Sequence, residues 1–420
     1  MTPKIVTTMR SYSAAAFTAD LWAGITVGMV ALPLSLAIAI ASGADPAAGL
    51  VTAVVAGFLI SLLGGSRVQI GGPTGAFIVV VYGVIAEHGY DGLVLATLMA
   101  GLILLVAGYL RAGRLVGYVP EPVINGFTIG IAVIIATSQL KDLFGLQTGA
   151  LPADFIDKIP SLWAARGTVN LPSMAIGLAT MAAIVILRRL FPRFPGLIVA
   201  IGATSVLVAV AALPVDTILS RFGPLPAQLP MPQLPDVTLG RIAELLPSAF
   251  VIAFLAGVES LLSAMVADRM IGGAHRSNAE LIAQGAANIG SALFGGLPAT
   301  GAIARTATNV RAGGRTPVAG LVHALTILLV MTVAATAAGY LAMPALAGLL
   351  ILTAWNMSEP HMWRSYLSGR RSDTLLLLMT LVLTVVADLT VAIGVGVAAG
   401  LALRLHRRNI PTEDWTPPDR

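Results

Sequence analysis

Residues 295–306 read "GGLPATGAIART". Small residues flank a proline, no apolar run fills a helical turn, and Arg305 follows Thr300-Gly301 by about one turn. The surrounding chain is oily: 57% of its 420 residues are hydrophobic and 11% are charged, with a mean hydropathy of +0.89. A soluble domain carries about 25% charged residues, so this composition belongs to an all-α polytopic membrane protein. An arginine in hydrocarbon costs about 2.5–3.5 kcal/mol or more, and such a residue is by default a functional one.

The stretch has a counterpart in "IGGPTGAF", residues 70–77. Aligning Thr74-Gly75-Ala76 with Thr300-Gly301-Ala302 gives an offset of 226 residues. The same offset carries "DLWAGITVGMVALPLSLA" onto "ELLPSAFVIAFLAGVESLLSA" and sets Pro33 against Glu259. Each half then holds seven segments, and an odd number makes the second half enter the membrane from the opposite side. Inverted repeats with matched Gly/Pro-interrupted segments point to a secondary transporter with its site near the bilayer midplane. The repeats run from about 15 to 213 and from about 240 to 405 within one transmembrane transport domain spanning 1–420.

Apolar runs long enough to cross a bilayer occur at about 21–42, 47–64, 93–110, 123–140, 172–190, 196–213, 244–267, 317–340 and 341–357. Three further stretches, 68–86, 279–312 and 373–405, read as short or broken segments, giving about fourteen in all. On that count, Lys4, Arg10, Arg111, Arg114, Arg188, Arg189, Arg193, Arg269, Arg276, Arg311, Arg315, Arg364, Arg370, Arg371, Arg404, Arg407 and Arg408 fall on one side. Glu87, Asp91, Asp142, Asp154, Asp157, Asp216 and Asp236 fall on the other. The positive-inside rule then puts both termini in the cytoplasm of a bacterial inner membrane. The basic residues are thereby explained as topology signals, and nucleic acid is not needed as a partner. The Pro-rich stretches 141–171 and 214–243 read as loops on the outer face. The first twenty residues lack the apolar core and cleavage site of a signal peptide, so the first hydrophobic segment should stay as a helix. The absence of cysteine excludes a disulfide scaffold, thiolate metal sites and a cysteine nucleophile.

Each "TGA" marks the point where an extended piece turns into a half-helix, with Thr74 or Thr300 as N-cap. The N–H groups at residues 75–77 and 301–303 would face each other across the midplane. Two helix N-termini aimed at one point make an anion site, and Arg305 adds a full charge. Glu259, within "FLAGVESLLSAMVAD", has no basic residue within two turns of it. The neutral acid is its cheaper form in hydrocarbon, which suits a coupling site loaded by a proton or paired with a cation. Ser263, at i+4, shares its face. The structural alternative is an ion pair between Glu259 and Arg305. Asp268 reads as a helix-end charge, and Asp388 lies between two short helices. His88, His275, His323 and His361 show no metal-ligand spacing, so neither a metal nor an organic cofactor is expected.

The stretches "GITVGMVALPLSLAIAIASG", "GPTGAF", "YVPEPVINGFTIGIAVIIATSQLKD", "ESLLSAMVAD", "HRSNAELIAQGAANIGSALFGGLPATGAIARTATNVRAGGRTPVAG" and "ADLTVAIGVGVAAGLAL" resemble the SulP family of anion transporters. The resemblance implies a core domain of segments 1–4 and 8–11 and a gate domain of segments 5–7 and 12–14. It further implies a homodimer and an elevator-like alternation of access. Carried over by position, the family pocket falls on Pro33, Leu34 and Ser35; on Gly75, Ala76 and Phe77; and on Thr300, Gly301, Ala302, Ile303 and Arg305. Ion coupling falls on Glu259 and Ser263, and a sodium ion would sit among Glu259, Ser263 and Gly301. Ile303 offers only backbone there, which favours protons over sodium. Leu34 stands where many sulfate permeases carry glutamine. The family's cytoplasmic STAS domain has no counterpart in "RRNIPTEDWTPPDR".

The expected activity is therefore proton-coupled symport of bicarbonate, sulfate or a dicarboxylate such as fumarate. The alternatives are a sodium-coupled bicarbonate symporter and an anion channel. A channel would need polar residues along its whole length, whereas here they cluster at one depth. A nucleobase carrier would want two pocket carboxylates and no arginine, and no enzymatic motif is present.

Overall fold

Each apolar run becomes a helix, the form in which a segment in hydrocarbon satisfies its own backbone. The computed structural model describes residues 2–113, 120–149, 151–152, 154–191, 196–387 and 389–406. Arg114, Arg193, Asp388, Arg407, Arg408 and the tail after them lie outside the described residues.

The first half comprises α1 (Lys4–Thr8), α2 (Ala14–Ala41), α3 (Pro46–Leu63), strand β1 (Gly71–Gly72), α4 (Ile78–Tyr109), α5 (Glu121–Leu143), α6 (Phe155–Ala164), α7 (Leu171–Leu190) and α8 (Gly196–Val210). After α9 (Ile218–Phe222) come α10 (Leu239–Ile271), α11 (Ser277–Leu293), strand β2 (Thr300–Gly301), α12 (Ile303–Arg311), α13 (Val318–Val333), α14 (Ala335–Gly339) and α15 (Met343–Met357). The described chain closes with α16 (Trp363–Ser368), α17 (Arg371–Val386) and α18 (Leu389–His406). Among the described residues, six stretches are long and apolar enough to cross a membrane: α2, α3, Gly75–Tyr109, α5, α7 and α10. Large apolar side chains such as Trp22, Leu171, Leu190, Val210, Leu329 and Val333 are exposed on the outside of the bundle. Water would not tolerate so wide an apolar surface, and lipid does.

The long stretch through α4 is two helices. Gly89, at φ 70° and ψ 179°, breaks it at a turn, a conformation that costs glycine nothing and other residues strain.

The helices pack in two groups. α4 lies on α11 and α10, α2 on α13 and α3, and α3 on α11 and α13. The second group sets α5 against α15 and α17, α15 against α7, and α7 against α8. One end of the bundle gathers the N-terminus and the 272–276 turn, where Arg276 Nη1 donates to Thr2 O at 2.7 Å. At the other end, Arg221 bridges Asp142 and Asp216 at 2.6 and 2.9 Å.

Three expectations need correction. The stretch 141–171 is not all loop, since α6 and a 3-10 turn at Ala165–Thr168 occupy part of it. The stretch 214–243 likewise holds α9 and the first turn of α10. Residues 279–293 do not belong to a broken segment but to the continuous α11. That helix reads as weakly apolar because Glu280, Gln284, Asn288 and Ser291 form a stripe at spacings of four, four and three, and all four are fully buried.

Candidate functional site: two half-helices and a buried arginine

The extended pieces ahead of the half-helices meet. β1 pairs antiparallel with β2, Gly71 opposite Gly301 and Gly72 opposite Thr300. Two residues per strand cannot hold such a pairing alone, and side chains from four helices brace it. On α11, Asn288 takes the N–H and the C=O of Ala299 on its two amide atoms, each at 2.9 Å. Thr52 on α3 accepts Leu297 N at 2.6 Å. On α12, Thr306 accepts Ile70 N at 3.1 Å and Asn309 donates to Val68 O at 2.8 Å. From the β1 side, Gln69 donates to Ser260 on α10. The backbone polar groups of this non-helical stretch are thus satisfied deep inside the protein.

The N-caps differ from the sequence reading. Thr74 holds the cap position of the 3-10 turn Gly75–Phe77 that leads into α4, but its side chain makes no cap bond. Its hydroxyl donates instead to Glu259 Oε2 at 2.9 Å. Thr300 is not an N-cap at all. It lies in β2 and donates to Ala256 O at 2.8 Å, and the cap of α12 is Ala302. Ala302 N is spent on Ile70 O. The free amides of the second half-helix therefore begin at Ile303, two residues later than the motif alignment implied. A strand of two residues has no propensity signal that would have revealed this shift.

Arg305 is 2% exposed. Its Nη2 donates to Ser35 Oγ at 3.2 Å and to Pro73 O at 3.1 Å, so a side chain of the second half of the chain reaches α2 and the extended piece of the first half. Nε and Nη1 have no partner, and no ion pair to Glu259 occurs among the described residues. The structural alternative for Glu259, a locking pair with Arg305, is not what the fold makes. A desolvated guanidinium with two unused donors is a costly arrangement for structure alone, and a natural one for binding a small planar or tetrahedral anion. Gly72 makes room for it: φ is 150°, and a Cβ there would stand 2.5 Å from Arg305 Nη1. Gly72→Ala should therefore displace the guanidinium and lower the melting temperature of the purified protein by several degrees. An unchanged melting curve would mean that the crossing is looser than described.

The other sequence-derived residues fall as follows. Pro33 and Ser35 are buried within α2 and Leu34 is half-buried. Ser35 also donates to Ala31 O at 2.8 Å. Gly75, Ala76 and Phe77 are buried at the start of the first half-helix. Gly75 faces the second helix group, since a Cβ there would stand 3.1 Å from Met357 Sδ and 3.5 Å from Ile135 Cδ1. Ile303 is 41% exposed, which with the half-buried Thr74–Glu259 pair gives the constellation an accessible side. Ser263 lies one turn from Glu259 on α10. Its hydroxyl lies 3.2 Å from Thr306 Oγ1, because α12 packs on that part of α10. Asp268 is a structural helix-end charge, accepting from His275 N at 2.7 Å and lying 2.7 Å from His275 Nδ1.

Sequence reasoning missed Glu280. This buried carboxyl accepts from Gly65 N and Ser66 N on one oxygen, and from Ser260 Oγ and Gln284 Nε2 on the other. The four-residue spacing of Glu280, Gln284 and Asn288 was the signal that could have found it.

Comparison with known proteins agrees with this architecture. The transmembrane domain of a cyanobacterial bicarbonate transporter, BicA, superimposes with a TM-score of 0.82 at 31% identity, over 93% of this chain and 98% of that one. Murine Slc26a9, an anion transporter solved in its inward-facing state, gives a TM-score of 0.86 over 97% of this chain and 72% of that one. At 18% identity it speaks for the fold alone. In sequence, YvdB of Bacillus subtilis, which carries the name of a sulfate transporter, is 44% identical over 382 residues, covering 90% of this chain and 72% of YvdB. The bicarbonate transporter BicA of Picosynechococcus is 32% identical over 381 residues, covering 88% of this chain and 67% of that protein. These relatives are transporters and not enzymes. The model of the sulfate permease family matches residues 17–380. With paired half-helices, an apolar helical surface and relatives of this kind, the chain is an integral membrane protein and a member of the sulfate permease family.

Proposed function

We propose that this protein is a secondary active transporter of a small anion, with bicarbonate, sulfate or a dicarboxylate such as fumarate as its substrate class, and that a proton drives uptake in symport. The observation that carries the reading is the Arg305 guanidinium, buried between two half-helix starts with Nε and Nη1 unpartnered. The half-helix amides and this charge would hold the anion.

Glu259 would carry the proton, since its hydrogen bond to Thr74 ties it to the cap of the first half-helix. Protonation there would be felt directly at the anion site. A sodium ion among Glu259, Ser263 and Gly301 is less well supported, because the Ser263 hydroxyl is engaged by Thr306. The element order supports fourteen segments, with the stretch through α4 counted twice across Gly89, the half-helix α12 counted as one, and α1, α6, α9, α14 and α16 left out. Contact between Gly75 and the α5–α15 pair supports a site at the border of a core and a gate, where a core moving past the gate would expose it to each side in turn. Both termini are read as cytoplasmic and the protein as a homodimer of the bacterial inner membrane.

The test is uptake of labelled bicarbonate, sulfate and fumarate into proteoliposomes under an inward proton gradient and, separately, an inward sodium gradient. Uptake of one anion driven by protons alone is the expected result; uptake with neither gradient would favour a channel. Glu259→Gln should retain anion binding but lose gradient-driven accumulation. Accumulation at the wild-type level in this variant would remove Glu259 from the coupling step.

A further inference from the structure

Between the outer end of α2, the first turns of α4 and the end of α5 lies an open cavity of about 270 Å³. Its polar lining includes Ser138, Lys141, Lys158 and Arg221, with Asp142 beside them. The Arg221 charge is matched by Asp142 and Asp216 at 2.6 and 2.9 Å. Lys141 and Lys158 have no carboxylate within ion-pair distance among the described residues. Lys141 donates to the carbonyls of Thr148 and Gly149.

Lys158 is the unusual member. It sits on α6, a helix lying against the bundle, and with Leu162 forms that helix's buried face. It is 4% exposed. A lysine is almost never so buried without a counter-charge. Its ammonium donates to Ser138 Oγ at 3.0 Å and stands 5.5 Å from the centre of the Tyr82 ring. An ammonium has three donors and these contacts satisfy one of them, so its charge is unmatched. The charge of Asp154, at the N-cap of α6, acts on it, but burial outweighs that charge and pushes the ammonium below its ordinary pKa. The composition points the same way. The chain has only three lysines, at positions 4, 141 and 158, against 22 arginines, and two of the three line this cavity. Tyr82 places the cavity on the helix that starts at the anion site, about 10 Å outward of Gly75 along its axis.

We propose that this cavity is a second, outer anion site, in which the Lys158 ammonium, supported by Ser138 and Lys141, captures a small oxyanion before it passes to Arg305. The passage to Arg305 rests on the transport reading above; the capture itself does not. A cation held in a concave, partly desolvated wall concentrates its counter-ion locally, which lowers the external concentration needed for uptake without changing the turnover of the inner site.

Two measurements test it. In intact cells taking up labelled sulfate or bicarbonate, Lys158→Gln should raise the KM for the external anion about fivefold, with the maximal rate within about twofold of wild type. On the wild-type protein, millimolar sulfate or bicarbonate should slow the acetylation of Lys158 by acetic anhydride several-fold, read by mass spectrometry, while Lys4 reacts at an unchanged rate. That protection should persist in Arg305→Ala. Failure of the transport reading would show as no anion uptake by the wild type, with Lys158 still protected. Acetylation of Lys158 at the same rate with and without anion, or an unchanged external KM, overturns the outer site.

Discussion

Arg305→Ala is expected to abolish anion uptake, by a factor of about a hundred or more, in a protein that still folds. The magnitude follows from removing a desolvated charge that, on the proposed function, meets the substrate, a change that costs about 2–5 kcal/mol in comparable buried pairs. The survival of the fold follows from what the guanidinium leaves behind. Ser35 Oγ keeps its bond to Ala31 O, and Pro73 loses one donor to a carbonyl without stranding an N–H. Removing a buried charge also removes its desolvation cost. Tracer uptake in proteoliposomes, with size-exclusion elution and a melting curve on the same preparation, separates the two effects. Arg305→Lys should retain part of the activity, since it keeps the charge but not the planar fork. Wild-type uptake by the alanine variant would remove Arg305 from the anion site.

Glu280→Ala should do the reverse, damaging the fold before it touches transport. Four donors converge on this carboxyl: Gly65 N at 2.8 Å, Ser66 N at 3.3 Å, Ser260 Oγ at 2.8 Å and Gln284 Nε2 at 2.9 Å. Ser260 and Gln284 also bond each other, so they keep one partner, but the two backbone amides at the end of α3 are orphaned. An unsatisfied buried donor costs about 1–3 kcal/mol, so the loss should exceed about 3 kcal/mol, equivalent to a fall of roughly 6 °C or more in melting temperature. Glu280→Gln keeps two acceptor positions on one oxygen and should fall between the alanine variant and wild type. A melting temperature for Glu280→Ala within a degree of wild type would show that water replaces the carboxyl at no cost.

The helical membrane architecture was legible because hydrocarbon allows few alternatives, and an unbroken apolar run of the right length has one reading. The half-helices were legible for a different reason: "TGA" occurs twice, at one offset, beside glycines and a proline. What escaped the sequence lies where tertiary contact overrules local pattern. Ser263 is on the face of Glu259 by helical spacing, and its contact with Thr306 on α12 is one that spacing along a single helix does not show. The ion pair between Glu259 and Arg305, the structural alternative for these two charges, does not form: one turns to Thr74 and the other to Ser35 and Pro73. The stripe of Glu280, Gln284, Asn288 and Ser291 was hidden because its polar groups face inward. On a soluble helix such a stripe faces water, and the habit of that reading turned a regular helix into a broken segment. Lys158 was hidden within a stretch read as loop.

The pairing of β1 with β2 also bears on how the protein is made. Gly71 waits for Gly301, 230 residues further along the chain. At roughly 5–20 residues per second of synthesis, that is about 10–45 s. For all that time the polar backbone of the first extended piece has no strand to join and no neighbouring α11 or α12 to brace it. Unpaired peptide groups are costly in lipid, so residues 68–74 must be sheltered by water or by the insertion machinery until the second half of the chain arrives. The pairing thus forms only after residues 300–301 have been made, and a ribosome that stalls between the two halves leaves a chain with the helices of the first half and no partner for Gly71 and Gly72.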